Sequence, residues 1–455
     1  MSKKKSLEKL MEEALISVDE MPYQLPGNWT WSKLGKLLTE IQYGYTEKST
    51  FEQIGPHFLR ITDLNEGINW DNVPYCNIND KDLEKYRLKN NDVVVARMGS
   101  VGKSQIIKNP ESSVFASYLI RLKVNKSLDA DYLSIFMKSP LYWNQITSNS
   151  KGTTRANINT KGLKNLNVPL PPLNEQKSIV KKVERLFLKI EEAKQLIEEA
   201  KETLELRRTA ILDKAFNGGF TQKKPSSNNR EWKHINLEEA CELISDCPHS
   251  TPKYNEDGEY LAIRSSDIYF GIVNTSDAKR VTEEEYCKRI KRVEPQKEDI
   301  IYCREGSGDI GKAVGKAGLL MDDGVCLAQR VVLLRPNKKV ILPKYFSYVL
   351  NSPLVLKQVA SNISQTTSPR INMSTLKQLN IPLAPIKEQQ KIVGIIEKNL
   401  DIEEKANVYH TINENLDLLM QSILSKAFRG ELGTNEPEEE SAIELLKEVF
   451  EEQVK

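Results

Sequence analysis

The sequence predicts an α+β protein: two tandem strand-rich domains joined by two long helices, which pair as an antiparallel coiled coil about a pseudo-two-fold axis. Three observations predict it. The chain repeats itself at a shift of 213 residues, two heptad runs stand at matching places in the repeats, and a proline-rich junction precedes each run. A period that long marks duplicated domains, because solenoids repeat every 20–50 residues or so.

The repeat is read from matched pairs. Tyr132 matches Tyr345, Ser139-Pro140-Leu141 matches Ser352-Pro353-Leu354, Thr153-Thr154 matches Thr366-Thr367, and Ile158-Asn159 matches Ile371-Asn372. The longest match pairs Asn167-Val-Pro-Leu-Pro-Pro-Leu-Asn-Glu175-Gln176 with Asn380-Ile-Pro-Leu-Ala-Pro-Ile-Lys-Glu388-Gln389. Lys214-Ala215-Phe216 returns as Lys426-Ala427-Phe428 at a shift of 212.

The elements follow in order. Leu7, Leu10, Met11 and Ile16 give the N-terminal segment, 1–21, an apolar stripe. The first mixed region, 22–173, holds β-rich runs at 57–62, 92–97 and 113–123 and a helix near 130–148 broken at Pro140. The proline-rich string 169–172 stops it, since the residue before a proline avoids helical geometry. The helix 174–217 follows, with Asn174 placed as its N-cap. Val183, Ile190, Ile197, Leu204 and Ile211 recur every seven residues, interleaved with Ile179, Leu186, Ala193 and Ala200, which makes an a/d seam. A polar, glycine-bearing linker, 218–230, leads into the second mixed region, 231–386, with runs at 260–265, 299–304 and 325–335 and a helix near 343–361. The second long helix, 387–430, has Ile395, Ile402, Tyr409, Leu416 and Ile423 on one seam series. Ile392, Asn399, Ala406, Asn413 and Met420 form the more polar partner series. An acidic tail, 431–455, opens a last helix with Ser441 and Glu444 spaced as a capping box, and this segment either pairs with the basic N-terminal helix or stays a solvated, frayed tail.

Several function classes are excluded. Six cysteines form no CxxC pair and have no histidine cluster beside them, so neither a zinc site nor a disulfide framework is expected. No stretch approaches the roughly 18 apolar residues of a membrane span. The opening Met1-Ser-Lys-Lys-Lys-Ser lacks an apolar signal core, which places the protein in the cytoplasm. Gly306-Ser-Gly308-Asp-Ile-Gly311-Lys312 satisfies G-x-G-x-x-G and falls one residue short of a P-loop. Its expected counterpart, Gly99-Ser-Val-Gly102-Lys103, is two residues shorter, so a glycine-rich turn fits both copies and a phosphate cradle fits neither. No methyltransferase or nuclease residue set stands out, and no catalytic residues or metal ligands are assigned.

The formal net charge of +2 does not announce a nucleic-acid binder, so local distribution decides. Each mixed region carries a polar, basic, turn-rich segment. Arginine suits guanine, asparagine and glutamine suit adenine, and hydroxyls suit phosphates. The candidates in the first copy are Tyr43, Tyr45, Lys48, Arg60, Arg97, Lys103, Lys151, Thr153, Thr154, Arg155 and Asn157. In the second they are His249, Lys253, Arg264, Arg304, Lys312, Gln365, Thr366, Thr367, Ser368 and Arg370.

The junction Val168–Gln176 with its twin Ile381–Gln389, the turn Gly99–Lys103 and the Lys-Ala-Phe ends of both helices resemble those of the specificity (S) subunits of Type I restriction–modification enzymes. The resemblance covers nearly the whole chain. It implies two target recognition domains, 22–173 and 231–386, each reading one half of a split, asymmetric DNA site, with the helices as a ruler between them. It also implies two methyltransferase (M) subunits and motor-nuclease (R) subunits as partners. Cofactors, S-adenosylmethionine and ATP with magnesium, belong to those partners and not to this chain. Ala384 and Lys387 depart from the pattern in the second junction. A stand-alone coiled-coil DNA-binding regulator is the alternative.

Overall fold

The computed structural model describes residues 6–65, 67–150, 157–220, 232–269, 271–306, 310–364, 368–399, 402–433 and 441–454. The chain divides into two compact units, and the boundary between them does not follow the sequence repeat. Unit 1 combines residues 1–196 with 410–455, and unit 2 is 197–409.

In unit 1, a four-stranded antiparallel sheet is ordered Leu38–Tyr43, Leu119–Val124, Val93–Ala96, Ser104–Ile106. The all-apolar run Val93–Ala96 is buried on both faces, which is why it sits inside the sheet. His57–Leu59 and Ser113–Phe115 form a separate parallel pair. Thr30–Lys33 and Asn167–Leu170 pair antiparallel where the junction begins. Unit 2 repeats this plan with longer sheets. Its six strands run in the order Cys241–Asp246, Val331–Pro336, Ile300–Cys303, Ala317–Leu319, Gly271–Val273, Ile268–Tyr269. A three-stranded sheet centres on Tyr260–Ile263, and Asn380–Leu383 pairs with Lys233–Asn236. The edge strands match in detail, for both carry a register shift at the second position, between Leu38 and Glu40 and between Cys241 and Leu243.

The runs expected at 113–123 and 325–335 are each two strands, not one. Ser113–Phe115 and Leu119–Val124 belong to different sheets, as do Val325–Leu327 and Val331–Pro336. A tight turn separates the members of each pair, and in unit 2 it places Arg330 at φ +71°. The helices near 130–148 and 343–361 are both broken at proline, as Ala130–Phe136 with Pro140–Ser150 and Pro343–Leu350 with Pro353–Asn362.

The first long helix is Leu173–Phe216. It starts one residue before Asn174, so Asn174 is not its N-cap. Pro172 holds that position, and its carbonyl accepts the Gln176 N–H at 3.0 Å. Lys387 likewise lies inside Ile386–Asn399, and Pro385 accepts from Gln389 at 2.9 Å. In unit 1 the start of the first helix packs against the end of Ile402–Phe428, through Ile179, Val183 and Ile190 with Ile423, Leu424 and Ala427. Lys182 reaches the Leu432 carbonyl at 3.1 Å and Lys194 reaches Asp417 at 2.9 Å, so the helices run antiparallel. In unit 2, Leu212, Ala215 and Phe216 pack in one core with Ile392, Val393 and Ile396. Asn399 is exposed and not a seam residue, because the buried stripe passes through Ile392, Val393 and Ile396. Asn413 does sit in the seam, with its Oδ1 buried and without a hydrogen-bond partner among the described residues. Leu7–Ala14 and Ala442–Val454 pack on each other, sharing a core through Leu10, Met11, Leu446 and Phe450. Ser441 Oγ caps the second of these, accepting from Glu444 N–H at 3.3 Å.

Candidate nucleic-acid interface

The junction residues are the frame of each domain. Glu175 and Gln176 are fully buried, although both are polar. Trp29 donates its indole N–H to Glu175 at 2.8 Å, and Trp232 donates to Glu388 at 3.1 Å. Gln176 accepts from Asp129 N–H at 2.7 Å and donates to the Ser127 and Pro171 carbonyls at 2.9 and 3.0 Å. Gln389 makes the same three bonds, to Leu342, Val340 and Ala384, at 2.8, 3.1 and 2.7 Å. Tyr132 donates to Pro169 at 2.8 Å, and Tyr345 to Pro382 at 2.9 Å. The Lys-Ala-Phe ends are explained by aromatic packing across chain segments. Phe428 lies 5.3 Å from Tyr132 in unit 1, and Phe216 lies 5.3 Å from Tyr345 in unit 2, both edge-on.

On this frame Arg97 and Arg304 hold equivalent positions at the ends of inner strands. The Arg97 carbonyl accepts Ile158 N–H at 3.0 Å, and that of Arg304 accepts Ile371 N–H at 3.0 Å. Each therefore ties the polar segment of its domain to the sheet. Their side chains differ in partner. Arg97 stacks over Tyr43 at 4.7 Å, while Arg304 bonds the Asp246 carboxylate at 3.3 Å. Tyr43 and Asp246 are the last residues of matching edge strands. The Nε of both arginines is buried without a partner among the described residues, and so is Asn157 Oδ1. Tyr43 also accepts from Thr160 N–H at 3.2 Å.

The structure thus brings Tyr43, Arg97, Lys103 and Asn157 into one neighbourhood in unit 1, linked through Ala96, Gly102 and Ile158. In unit 2 it brings His249, Arg304, Ser368 and Arg370 together. His249 is 3.4 Å from Asp246, Ser368 Oγ donates to Glu305 at 3.4 Å, and Arg370 bridges Glu305 through the backbone. Tyr45 packs against Tyr86, at 5.3 Å between ring centroids. Lys48 and Lys253 are exposed, and no described hydrogen bond or ion pair ties Lys48 to the Arg97 neighbourhood. Lys151, Thr153, Thr154, Arg155, Gln365, Thr366 and Thr367 lie outside the described residues.

Two pairs have internal duties. Arg60 grips Asp63 through Nε and Nη2 at 3.0 and 2.9 Å, and Arg264 grips Asp267 the same way at 3.0 and 2.6 Å. Bidentate pairs of this kind hold a loop, so these forks are occupied within the chain. Lys312 is not the counterpart of Lys103. The Ala96 N–H bonds the Lys103 carbonyl at 2.8 Å and Cys303 N–H bonds Lys316 at 2.9 Å, so Lys316 is the equivalent residue. Lys312 instead pairs with Glu205 on the long helix at 3.1 Å. Val101-Gly102-Lys103 and Val314-Gly315-Lys316 share the 213 shift, a signal the longer glycine string masked. Gly102 and Gly315, at φ +86° and +92°, lie where an added Cβ would be 3.0 Å from Ile146 and from Leu356. The turn between strand and glycine is six residues longer in unit 2, since 315 − 102 is 213 and 303 − 96 is 207. Burial lowers the Lys316 pKa below the usual lysine value.

The fold also draws Asp246, Cys247 and His249 together, their donor atoms within 4.8 Å of one another. Asp246 is already engaged by Arg304, and burial raises the Cys247 thiol, so the group has the chemistry of an ion pair more than of a metal site. Among the described residues no helix is long and apolar enough to cross a membrane.

The family described as Type I restriction modification DNA specificity domain matches residues 26–202 and again 229–413. The chain belongs to this family. It is 28% identical over 363 residues to the Type I restriction enzyme EcoKI specificity subunit of Escherichia coli (strain K12), covering 77% of this chain and 76% of that one. It is 26% identical over 431 residues to the StySPI specificity subunit of Salmonella potsdam, covering 90% of each. A chain solved in work on assembly and conformational transition of the type I R-M system superposes with a TM-score of 0.62 at 21% identity, over 90% of this chain and all of that one. The HsdS subunit from Thermoanaerobacter tengcongensis gives 0.51 at 20%, over 91% of this chain and all of that one. These likenesses show the fold. Membership in the family makes the chain a DNA-sequence recognition subunit of a Type I restriction–modification system. A stand-alone regulator finds no support among these relatives.

Proposed function

We propose that this specificity subunit reads a split, asymmetric DNA site through recognition domains at 22–173 and 231–386, with helices 174–217 and 387–430 setting the gap between the half-sites. The observation that carries this is the shared frame with unlike reading groups: Arg97 stacked on Tyr43 in one domain, Arg304 paired with Asp246 in the other. Different groups on one scaffold read different bases. Arg97, Lys103, Asn157, Tyr43 and Tyr45, with Lys48 and the segment 151–155, contact the first half-site. Arg304, Arg370, Ser368, His249 and Lys253, with 365–367, contact the second. Arg60, Arg264 and Lys312 act by holding loops.

Two methyltransferase subunits dock on the long helices, and restriction subunits join through them. The chemistry, with S-adenosylmethionine and with ATP and magnesium, is theirs, and this chain binds no cofactor. Leu188, Leu196 and Leu418 in unit 1, and Leu206 in unit 2, are each at least 65% exposed on the long helices and support docking on each. In unit 1 a groove of about 640 Å³ between the helices is lined by Phe187, Leu418 and Met420, with Lys194 and Asp417 at its rim.

Methylome sequencing of a host with and without this chain tests the reading. A split modified motif that vanishes on deletion is expected, and an unchanged methylome overturns it. Lengthening both helices together by a few residues changes the tolerated gap if they are the ruler.

A further inference from the structure

One exposed corner of the shared frame carries different residues in the two domains, and the sequence pattern did not flag it. The Arg97 N–H donates to the Tyr118 carbonyl at 2.9 Å, and the Arg304 N–H donates to the Arg330 carbonyl at 3.2 Å. Tyr118 and Arg330 therefore occupy equivalent turns, each just before the inner strand that pairs with the edge strand of its sheet. Both side chains point out of the core: Tyr118 is 56% exposed and the Arg330 side chain 46%. Arg330 is also held at φ +71°, a left-handed conformation that a long side chain avoids. Strain of this kind in a non-glycine residue points to a site where the side chain is needed.

The surroundings decide what Arg330 can do. Its neighbour Arg304 is 12% exposed and tied to Asp246, so Arg330, at 46%, is the more accessible of the two guanidiniums. Among the described residues the Arg330 guanidinium meets one partner, Glu305, through Nε at 3.5 Å, a long contact at a half-exposed surface and so a weak one. Glu305 is shared with Ser368, which keeps the carboxylate at the corner when the arginine leaves. The Nη edge of the guanidinium makes no described bond. That edge fits the O6 and N7 acceptors of guanine, which a planar fork can bond twice. Tyr118 offers an aromatic face and a single hydroxyl, and has no such fork.

We propose that this corner is a specificity-determining position and that Arg330 contacts a guanine edge in the half-site read by the second domain. The inference rests on the two-domain reading above. The test is methylome sequencing in the host, with the complete chain in its own methyltransferase complex, for wild type, Arg330→Gly, Arg330→Lys and Tyr118→Ala. Arg330→Gly removes the side chain and relaxes the left-handed backbone, so its thermal midpoint stays at or above that of wild type and loss of fold does not confuse the result. The expected result is a split wild-type motif with a guanine in one half-site. Preference for that guanine falls roughly 10- to 100-fold in Arg330→Gly, and falls in Arg330→Lys, which lacks the fork. The other half-site stays unchanged in both, and Tyr118→Ala leaves the guanine half-site intact. Arg330 variants that keep every base preference overturn the proposal, whether methylation persists or drops evenly as a lost phosphate contact would make it. Relaxation of the opposite half-site also overturns it. A wild-type chain without any split motif brings down the functional reading itself, while a wild-type motif indifferent to Arg330 brings down this inference alone.

Discussion

Replacing Gln176 with alanine should unfold unit 1 early, and the structure sets the size of the effect. The side chain is fully buried and makes three hydrogen bonds between 2.7 and 3.0 Å, all to backbone groups of the loops that carry the long helix. Each contributes about 1 kcal/mol net, and deletion leaves an N–H and two carbonyls short of a partner beside a new cavity. The total is about 3–4 kcal/mol. With a urea slope of about 3 kcal/mol per molar, the midpoint falls by about 1 M. Urea titration followed by tryptophan fluorescence measures it. Trp29, Trp31, Trp70 and Trp143 stand in unit 1 and Trp232 in unit 2, so a Trp232→Phe background isolates unit 1. Gln176→Met, which keeps most of the volume, separates the bonds from the cavity. A shift below about 0.3 M in both variants refutes the clamp. Gln389→Ala does the same to unit 2, read as the part of the native fluorescence transition that the Trp232→Phe background lacks.

Three further outcomes follow from contacts already given. Phe428→Ala destabilises unit 1 and Phe216→Ala unit 2, each by about 3–5 kcal/mol, because each ring packs edge-on against a buried tyrosine; hydrogen exchange resolved by peptide shows which lobe loosens. Burial alone would raise the Glu40 carboxyl, but hydrogen bonds and charge from Lys123 and Arg121 outweigh it and hold its pKa below the ordinary 4.5. A depressed carboxylate stabilises the fold above its unfolded pKa and loses that contribution as pH falls through its folded one. The stability difference between wild type and Glu40→Gln should therefore shrink below pH 4.5, and a difference constant from neutral to acid pH contradicts the ion pairs. Burial pushes the thiol of Cys76 up to about 11 and those of Cys241 and Cys326 up to about 12, while Cys287 is exposed. A thiol reagent at pH 8 should label one cysteine quickly, and Cys287→Ser should abolish that phase.

The duplication, the proline junctions and the long helices were legible because each leaves a mark along the chain: a fixed shift, a ring residue, a seven-residue period. The roles of Glu175 and Gln176 were not, since a buried polar pair cannot be told from a solvated helix start until Trp29 and Ser127 are folded against it. Arg60 and Arg264 look like base-reading arginines in sequence. Three residues on, Asp63 and Asp267 claim them, and that spacing was available as a warning. Lys312 was misassigned because a longer glycine string outweighed the shorter Val-Gly-Lys match that the strand register enforces. Tyr118 and Arg330 share no chemistry, so no comparison of residue types could pair them. Their place at the 212 shift, the turn each makes before an inner strand, and the hydrogen bonds from Arg97 and Arg304 do.

The way unit 1 is assembled has a consequence for how the chain is born. Residues 1–196 leave the ribosome first, yet their core is closed by Leu424, Ala427 and Phe428 and by the helix Ala442–Val454. Unit 2, continuous from 197 to 409, can shut before those residues exist. At roughly 5–20 residues per second, Tyr132 and Phe136 wait on the order of 10–60 s for their cover. The usual order, in which the N-terminal domain matures first, is reversed here. Nascent unit 1 offers an apolar face to chaperones, or to another growing chain, for all of that interval.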